Sequence, residues 1–253
     1  MKHVIDPQQV PFRLTGARVA VLGYGPSATQ HALGLRDAGN DVSVGMRSGG
    51  MSWVRARKDG FPARAACTVV EGTSVVVVLV PDDEQASVYW HAIEPNVQPG
   101  ALLVFGRALA LETKAFEPRG VDVVFVAAHE KACRVAVHVD ATGRALERAI
   151  SYVRAAFGTN VTIATTTIAA EVDAELAALE TRAGSAAAFR AEVESAAARA
   201  RDSHAPEEAR LSYYEGLCEL VQERAARSGS HPADERGSAV SLVAGYGPRR
   251  GMS

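Results

Sequence analysis

The sequence predicts an α/β fold, a doubly wound parallel sheet followed by an all-α region. Short β-rich runs alternate with helical stretches up to about residue 164, and these runs stop beyond residue 165. Most runs are almost continuously apolar, as expected of strands that are covered on both faces. The predicted strands are RVAVL (18–22), DVSVG (41–45), SVVVVLV (74–80), ALLVF (101–105), VDVVFV (121–126) and RVAVHV (134–139), with residues 161–164 as a further candidate.

Parallel strands need crossover connections, and helical stretches supply them at residues 27–38, 83–92 and 142–157. Beyond residue 165 the chain is dominated by Ala, Glu, Arg and Leu, which is a helical composition. The apolar residues of this region are mostly alanines, so it makes a thin core alone. We therefore expect it to pack on the first domain or on a partner subunit. The predicted domains are 1–164 and 165–253.

Composition excludes several classes of protein. The 253 residues carry a formal net charge of -2, which is not the basic footprint of a nucleic-acid binder. The longest apolar run, Val75 to Val80, is far shorter than the roughly 20 residues that span a bilayer. The three cysteines are odd in number and far apart, and the N-terminus does not resemble a signal peptide. We expect a cytoplasmic protein without membrane or nucleic-acid partners.

The strongest local signal is a glycine turn after the first predicted strand. Gly23, Gly25 and Ala28 fit the pattern G-x-G-x-x-G/A between a strand and a helix. In this pattern the first glycine permits the tight turn, and the second lets the backbone approach a pyrophosphate. The third position keeps the helix close to the strand. The helix N-terminus then offers unpaired N–H groups to phosphates. The sequence thus predicts dinucleotide binding, with an ordinary βα turn as the alternative.

The end of the second predicted strand indicates which nicotinamide is bound. NAD-specific sites place an acidic residue there for the ribose 2′-hydroxyl. Here the strand ends in Arg47, and Ser48 and Ser52 follow. A guanidinium binds a 2′-phosphate through two charge-assisted hydrogen bonds, so NADPH is favoured. The alternative is that Arg47 is a surface loop charge.

Several segments together resemble ketol-acid reductoisomerase, over most of residues 14–247. They are the stretch from Gly23 to Asp37, VGMRSGGMSW (44–53), LVPDDEQASVYW (79–90), IEPNVQPGALL (93–103), VHVDATG (137–143), LSYYEGLCEL (211–220) and SAVSLVAGYG (238–247). The resemblance implies a Rossmann domain followed by a helical domain that interlocks with a second subunit, hence a homodimer. It also implies NADPH, and two magnesium ions held by carboxylates from both subunits. Enzymes of this family move an alkyl group within a 2-aceto-2-hydroxy acid and then reduce the ketone.

The resemblance also implies particular site residues. The residues expected to line the dinucleotide are Tyr24, Gly25, Pro26, Ser27, Arg47, Ser52, Pro81 and Asp82 to Gln85. The acidic positions of the metal site fall on Asp173, Glu215 and Glu219. The serine that contacts the substrate falls on Ser241.

The chain departs from the family pattern at three positions of the chemical site. The metal-binding glutamate expected four residues after Asp173 is Ala177, with Glu175 and Glu180 as nearby substitutes at the wrong spacing. The family's histidine becomes Arg107, and its lysine becomes His129. Two divalent ions need many carboxylate oxygens, so the loss of one ligand argues against a two-metal site.

Hydride transfer does not require the metal pair, provided that another group polarises the acceptor. We therefore expect an NADPH-dependent enzyme that reduces a C=O or C=N bond in a small polar substrate and does not catalyse alkyl migration. Its expected setting is specialised biosynthesis. Arg107 or His129 would be the electrophile or proton donor, while Glu215, Glu219 and Ser241 would hold the substrate or one cation. The alternatives are a magnesium-dependent ketol-acid reductoisomerase of branched-chain amino acid biosynthesis and a non-catalytic dinucleotide-binding protein.

Overall fold

The computed structural model describes residues 4–5, 14–129, 132–201 and 208–227. Its strands form one nine-stranded sheet in the order β1-β9-β8-β7-β6-β5-β2-β3-β4. The strands are β1 (Val4–Ile5), β2 (Arg18–Leu22), β3 (Asp41–Gly45), β4 (Ala63–Arg64), β5 (Val75–Val78), β6 (Leu102–Phe105), β7 (Asp122–His129), β8 (Ala132–Val139) and β9 (Thr162–Thr165). The predicted doubly wound α/β class is confirmed.

The helices account for most of the remaining described residues. They are α1 (Pro26–Asp37), α2 (Met51–Lys58), α3 (Ala66–Val70), α4 (Asp82–Val88), α5 (Leu109–Glu112), α6 (Ala145–Phe157), α7 (Ile168–Ala183), α8 (Ala186–Arg201) and α9 (Glu208–Arg227). Helix α4 continues as a π-helical turn over Tyr89–Ile93. The three predicted crossover helices correspond to α1, to α4 with its π-helical turn, and to α6. None of the described helices is long and apolar enough to cross a membrane.

The direction of the last strands departs from the parallel sheet that the sequence predicts. Strands β2 to β7 run parallel to one another, whereas β8 pairs antiparallel with β7 and β9 then runs parallel to β8. Only two residues separate His129 from Ala132. A parallel connection needs a crossover of a dozen or more residues, so strands this close in sequence can only pair antiparallel.

Both faces of the sheet are covered, as the apolar runs predict. Along β2, Val19 and Val21 face a core shared with α1 and α6, while Ala20 and Leu22 face the opposite core. The second core also contains residues of α7, α8 and α9, so the helical region packs on the sheet of its own chain. The division at residue 165 stays a prediction, although the last described strand ends at Thr165.

Helix α9 packs against the sheet domain through backbone contact. A Cβ on Gly216 would lie 2.1 Å from the carbonyl oxygen of Thr113, so only glycine fits there. Helix α7 is fixed by a bidentate ion pair, in which Arg134 of β8 binds both oxygens of the buried Glu171 at 2.8 and 3.0 Å. These helices present mostly alanine side chains to the sheet domain. The close backbone contact at Gly216 and the ion pair of Glu171 therefore add to the packing that holds them there.

A buried histidine should make the protein lose stability in mild acid. His31 of α1 hydrogen-bonds to the Tyr152 hydroxyl of α6, and burial lowers the pKa of His31 to about 4. The unfolded chain takes up the proton below about pH 6.5, whereas the folded chain resists it. Stability is thus complete above that pH and falls as the pH drops towards 4, by about 3 kcal/mol in total.

Urea unfolding of the native chain and of His31→Gln between pH 7 and pH 4 measures this effect. The native chain should lose more stability than the variant across this range, because the carboxylates titrate equally in both. Parallel pH dependences in the two proteins would show that His31 is not held neutral.

Candidate functional site

The glycine turn places an open backbone surface at the carboxyl end of β2. Gly23 has φ +91, and a Cβ there would lie 2.8 Å from the carbonyl oxygen of Leu79. Its N–H donates to the carbonyl of Gly45 at 2.9 Å, which ties the turn to β3. Gly25 precedes α1, and a Cβ there would meet nothing within 4 Å. The turn itself therefore requires Gly23, whereas Gly25 leaves open space in front of the N-terminus of α1.

Helix α1 begins at this space with its donors free of side-chain caps. Pro26 occupies the first helical position, Ser27 is exposed, and no side chain caps the N-terminus. Ala28 is 1% exposed, so the helix packs closely against the sheet as the motif predicts. The first N–H groups of a helix lack intrahelical partners and attract anions. The arrangement fits a pyrophosphate.

Tyr24 contributes only its backbone to this surface. Its side chain is buried against Phe61, and its hydroxyl donates to Asp59 at 2.8 Å. Burial, together with the neighbouring carboxylate, raises the pKa of Tyr24 to about 12. The phenol therefore stays protonated and holds the turn to the loop after α2.

Arg47 projects into solvent beside the glycine turn. It follows β3, the neighbour of β2, and its side chain is 87% exposed. One of its terminal nitrogens lies 2.9 Å from a carboxylate oxygen of Glu84. Ser48 is also exposed, and Ser52 is half-buried in the first turn of α2. The predicted 2′-phosphate residues thus lie together at the end of one strand.

The loop after β5 presents three acids, and each of them pairs with a different arginine. Helix α4 begins after Pro81 with Asp82, Asp83 and Glu84 in its first turn. Their partners lie on separate elements: Asp82 with Arg107 after β6 at 2.9 Å, Asp83 with Arg210 of α9, and Glu84 with Arg47 after β3. The Tyr214 hydroxyl also donates to Asp83 at 3.2 Å. This loop therefore joins the dinucleotide turn to the helical region.

Gln85 is completely buried within the same helix. Its amide nitrogen donates to the carbonyl oxygen of Val80 and to a carboxylate oxygen of Asp82, at 3.3 and 3.2 Å. Its amide oxygen has no hydrogen-bond partner in the described part of the chain. Gln85 thus stabilises the Asp82 carboxylate through a hydrogen bond from its buried amide.

Arg107 lies between two carboxylates at the end of β6. Besides Asp82, its Nε is 3.6 Å from a carboxylate oxygen of Glu175 on α7. Glu175 also accepts hydrogen bonds from the backbone N–H groups of Ala108 and Leu109 at 2.9 and 3.3 Å. Burial alone would lower the pKa of Arg107, but Asp82 and Glu175 outweigh it and raise the pKa. Arg107 thus remains a cation and is suited to an electrophilic role rather than to proton donation.

Sequence reasoning did not place Glu175 at this edge of the sheet. Its sequence position makes Glu175 only a substitute metal ligand, whereas in the structure it contacts Arg107. Helical spacing carries the missing signal: Glu171 and Glu175 are four apart and share a face of α7. That face lies against the strand ends, where the two residues pair with Arg134 and Arg107 respectively. His129, the other candidate, ends β7 and is exposed.

The predicted metal ligands do not gather around one point in the described residues. Asp173 lies 3.0 Å from Arg224, and Glu215 lies 3.2 Å from Arg201, while Glu219 is exposed. Glu180 also pairs with Arg224. Within the ranges that the structure describes, no group of three metal-binding side chains is found. These carboxylates therefore form no metal site within the described part of one chain, and we derive no step through a metal.

Three expectations are not tested by the described residues. Ser241 lies outside them, as does the segment 238–247 that carries part of the resemblance. The homodimer and the cytoplasmic setting stay predictions.

A separate cavity of about 560 Å³ lies elsewhere, lined by residues that precede β6 and β7 together with Trp90 and Phe116. It faces the amino ends of the strands and is distinct from the site above.

The fold and the site define a nicotinamide-dependent oxidoreductase with the Rossmann arrangement. The chain belongs to the family of the acetohydroxy acid isomeroreductase NADPH-binding domain, whose model matches residues 13–162, more than half of its length. The resemblance to ketol-acid reductoisomerase is thereby confirmed. The matched part contains the glycine turn, Arg47, the α4 loop and Arg107.

Solved structures share this fold at low identity. An NADH-preferring ketol-acid reductoisomerase from an uncultured archean has a TM-score of 0.60 and 24% identity, covering 84% of this chain and 70% of that one. A semialdehyde dehydrogenase NAD-binding protein from Cupriavidus necator has a TM-score of 0.52 and 14% identity, with 87% and 86% covered. Mycobacterium tuberculosis 3-hydroxyisobutyrate dehydrogenase has a TM-score of 0.51 and 14% identity, with 74% and 64% covered.

Proposed function

We propose that this protein is an NADPH-dependent reductase of a C=O or C=N bond in a small polar molecule, acting without alkyl migration. The observation that carries the proposal is the open N-terminus of α1 at Gly25 with Arg47 beside it. Backbone N–H groups there would bind the pyrophosphate, and Arg47 with Ser48 and Ser52 would bind the 2′-phosphate. When bound, NADPH supplies a hydride.

The arginine partners of Asp173 and Glu215, together with the position of Arg107, support a reductase that lacks the isomerase step. Alkyl migration in the family depends on clustered divalent ions, but Asp173 and Glu215 each face an arginine here. An arginine neutralises a carboxylate without offering a coordination position to the substrate. Arg107, held as a cation at the carboxyl edge of the sheet, would polarise the acceptor instead.

An absorbance assay tests the reductase activity directly. Oxidation of NADPH would be followed with a panel of 2-oxo acids, 2-aceto-2-hydroxy acids and cyclic imines, in buffer containing EDTA. Turnover of any panel member in EDTA supports a metal-independent reductase. Activity that appears only when magnesium is added, and only with 2-aceto-2-hydroxy acids, would instead show a genuine reductoisomerase.

Replacement of Arg47 should remove the preference for NADPH over NADH. In Arg47→Leu the two charge-assisted hydrogen bonds to the 2′-phosphate are lost, so NADPH should bind at least about tenfold more weakly. NADH lacks this phosphate, and its affinity should change little. Calorimetric titration of both cofactors gives the ratio, and Arg55→Leu, on the exposed surface of α2, is the matched control. Equal losses of affinity for NADPH and NADH would show that Arg47 does not bind the 2′-phosphate.

A further inference from the structure

The acid that pairs with Arg47 bears on how the site discriminates between the two nicotinamide cofactors. A terminal nitrogen of Arg47 lies 2.9 Å from a carboxylate oxygen of Glu84, which belongs to the first turn of α4. The side chain of Arg47 is 87% exposed and that of Glu84 is 37% exposed, so a cofactor can reach both. A guanidinium has five N–H donors, and this contact uses only one of its nitrogens. The other donors of Arg47 stay accessible to a 2′-phosphate.

The backbone that carries Glu84 is anchored on both of its preceding residues. Asp82 and Asp83 are 18% and 17% exposed, and each forms an ion pair with an arginine of another element. Asp83 also accepts a hydrogen bond from the Tyr214 hydroxyl at 3.2 Å. The first turn of α4 is therefore fixed, and only rotation of the Glu84 side chain can separate its carboxylate from Arg47.

A 2′-phosphate bound by Arg47 would lie close to the Glu84 carboxylate, because both anions would contact one guanidinium. A phosphate monoester carries more than one negative charge at pH 7, so a single positive charge would face more than two negative charges. Repulsion between two unit charges about 4 Å apart changes a binding constant about fivefold even in the dielectric of water. Glu84 therefore weakens NADPH binding at the same place where Arg47 strengthens it.

NADH presents a hydroxyl in place of this phosphate. NAD-specific sites supply an acid for that hydroxyl at the end of the second strand, but the residues that end and follow β3 here are Gly45, Met46, Arg47 and Ser48. Glu84 brings a carboxylate to the same place from α4, as its contact with Arg47 shows. A ribose 2′-hydroxyl there would donate a charge-assisted hydrogen bond to it.

We infer that Glu84 is a specificity-determining residue, which opposes the 2′-phosphate of NADPH and accepts a hydrogen bond from the 2′-hydroxyl of NADH. The inference rests on the proposed function, which assigns Arg47 to the 2′-phosphate. The cofactor preference is then set by Arg47 and Glu84 together rather than by Arg47 alone. It is narrower than an unopposed arginine would give, and the site admits NADH as a second cofactor.

Two substitutions of Glu84 separate its charge from its capacity to accept a hydrogen bond. Glu84→Gln removes the charge but keeps an acceptor oxygen, whereas Glu84→Ala removes both. The full-length protein and both variants would be titrated by calorimetry with NADPH and with NADH. NADPH should bind at least about threefold more tightly to both variants, because the repulsion is gone. NADH should bind at least about threefold more weakly to Glu84→Ala, and the loss should be smaller in Glu84→Gln.

Glu117→Gln is the matched control, since Glu117 is also an exposed acid, 3.4 Å from the exposed Arg119 in the segment before β7. It should leave both affinities unchanged. Weaker NADPH binding by Glu84→Gln would show that the carboxylate orients Arg47 for the phosphate, and it would overturn the inference. Unchanged NADPH affinity in both Glu84 variants, unchanged NADH affinity in Glu84→Ala, or equal effects in the control would also overturn it. Failure of the native protein to bind either cofactor would instead overturn the proposed function.

Discussion

Replacement of Gly25 by valine should abolish NADPH binding while leaving the stability of the protein almost unchanged. A Cβ at this position meets nothing within 4 Å, and the backbone has a φ of -88, which any residue adopts. The side chain would therefore fold without strain but would occupy the space where the pyrophosphate approaches the N-terminus of α1. Loss of this contact should weaken NADPH binding by at least about a hundredfold, which corresponds to about 2.7 kcal/mol.

Gly23→Val provides the contrast, because the same substitution two residues earlier is not tolerated by the fold. Its φ of +91 and the carbonyl of Leu79 at 2.8 Å from the added Cβ predict a loss of stability as well as of binding. Thermal unfolding and calorimetry on both variants separate the two effects. Undiminished NADPH affinity in Gly25→Val would place the pyrophosphate elsewhere.

Replacement of Asp122 by alanine should cost about 3–5 kcal/mol of folding free energy, because it leaves a buried guanidinium without its carboxylate partner. Asp122 is 0% exposed and accepts hydrogen bonds from Arg148 at 2.6 Å and from the Thr142 hydroxyl at 2.7 Å. The carboxylate thereby joins the start of β7 to α6 and to the loop before it.

The pH dependence of this loss follows from the pKa of Asp122. Burial alone would raise that pKa, but the hydrogen bonds from Thr142 and Arg148 outweigh it and hold the pKa below its usual value. The contribution is therefore present above about pH 4, the usual range for an unfolded aspartate, and is lost as the pH falls through the folded-state pKa. Urea unfolding of Asp122→Ala at pH 7 and pH 3 should show a difference from the native chain that shrinks in acid.

Glu147→Gln is the control for the loss of an ion pair. Glu147 lies 3.2 Å from Arg144, with both side chains about half exposed, and such surface pairs contribute about 0–1 kcal/mol. A loss of stability in Asp122→Ala no larger than in this control would show that the buried pair is not required for folding.

The dinucleotide turn could be predicted from sequence because its determinants are local. Gly23, Gly25 and Ala28 act within one strand, one turn and one helix, and apolar runs identify the strands on either side. The direction of β8 also follows from local chain length, since two residues cannot form a crossover. The predicted strands, 121–126 and 134–139, leave seven residues between them, which is also too few for a crossover, so the sequence itself argues against a parallel direction for β8.

The surroundings of Arg107 could not be predicted in the same way, since they depend on tertiary packing. Asp82 and Glu175 are far from Arg107 and from each other in sequence, and only the packing of α7 on the strand ends brings the second carboxylate in. The proximity of α7 to α9 likewise gives Asp173 an arginine neighbour. The spacing of acidic residues in the sequence indicates the acids of the family's metal site, but it does not indicate which arginines neutralise them.

Calorimetric titration of the native protein with NADPH and with NADH, each in EDTA and in magnesium, tests the central claim most directly. We expect NADPH to bind more tightly than NADH by at least about tenfold, and we expect magnesium to leave both affinities unchanged. Absence of binding by either cofactor would contradict the assignment of the glycine turn as a dinucleotide site.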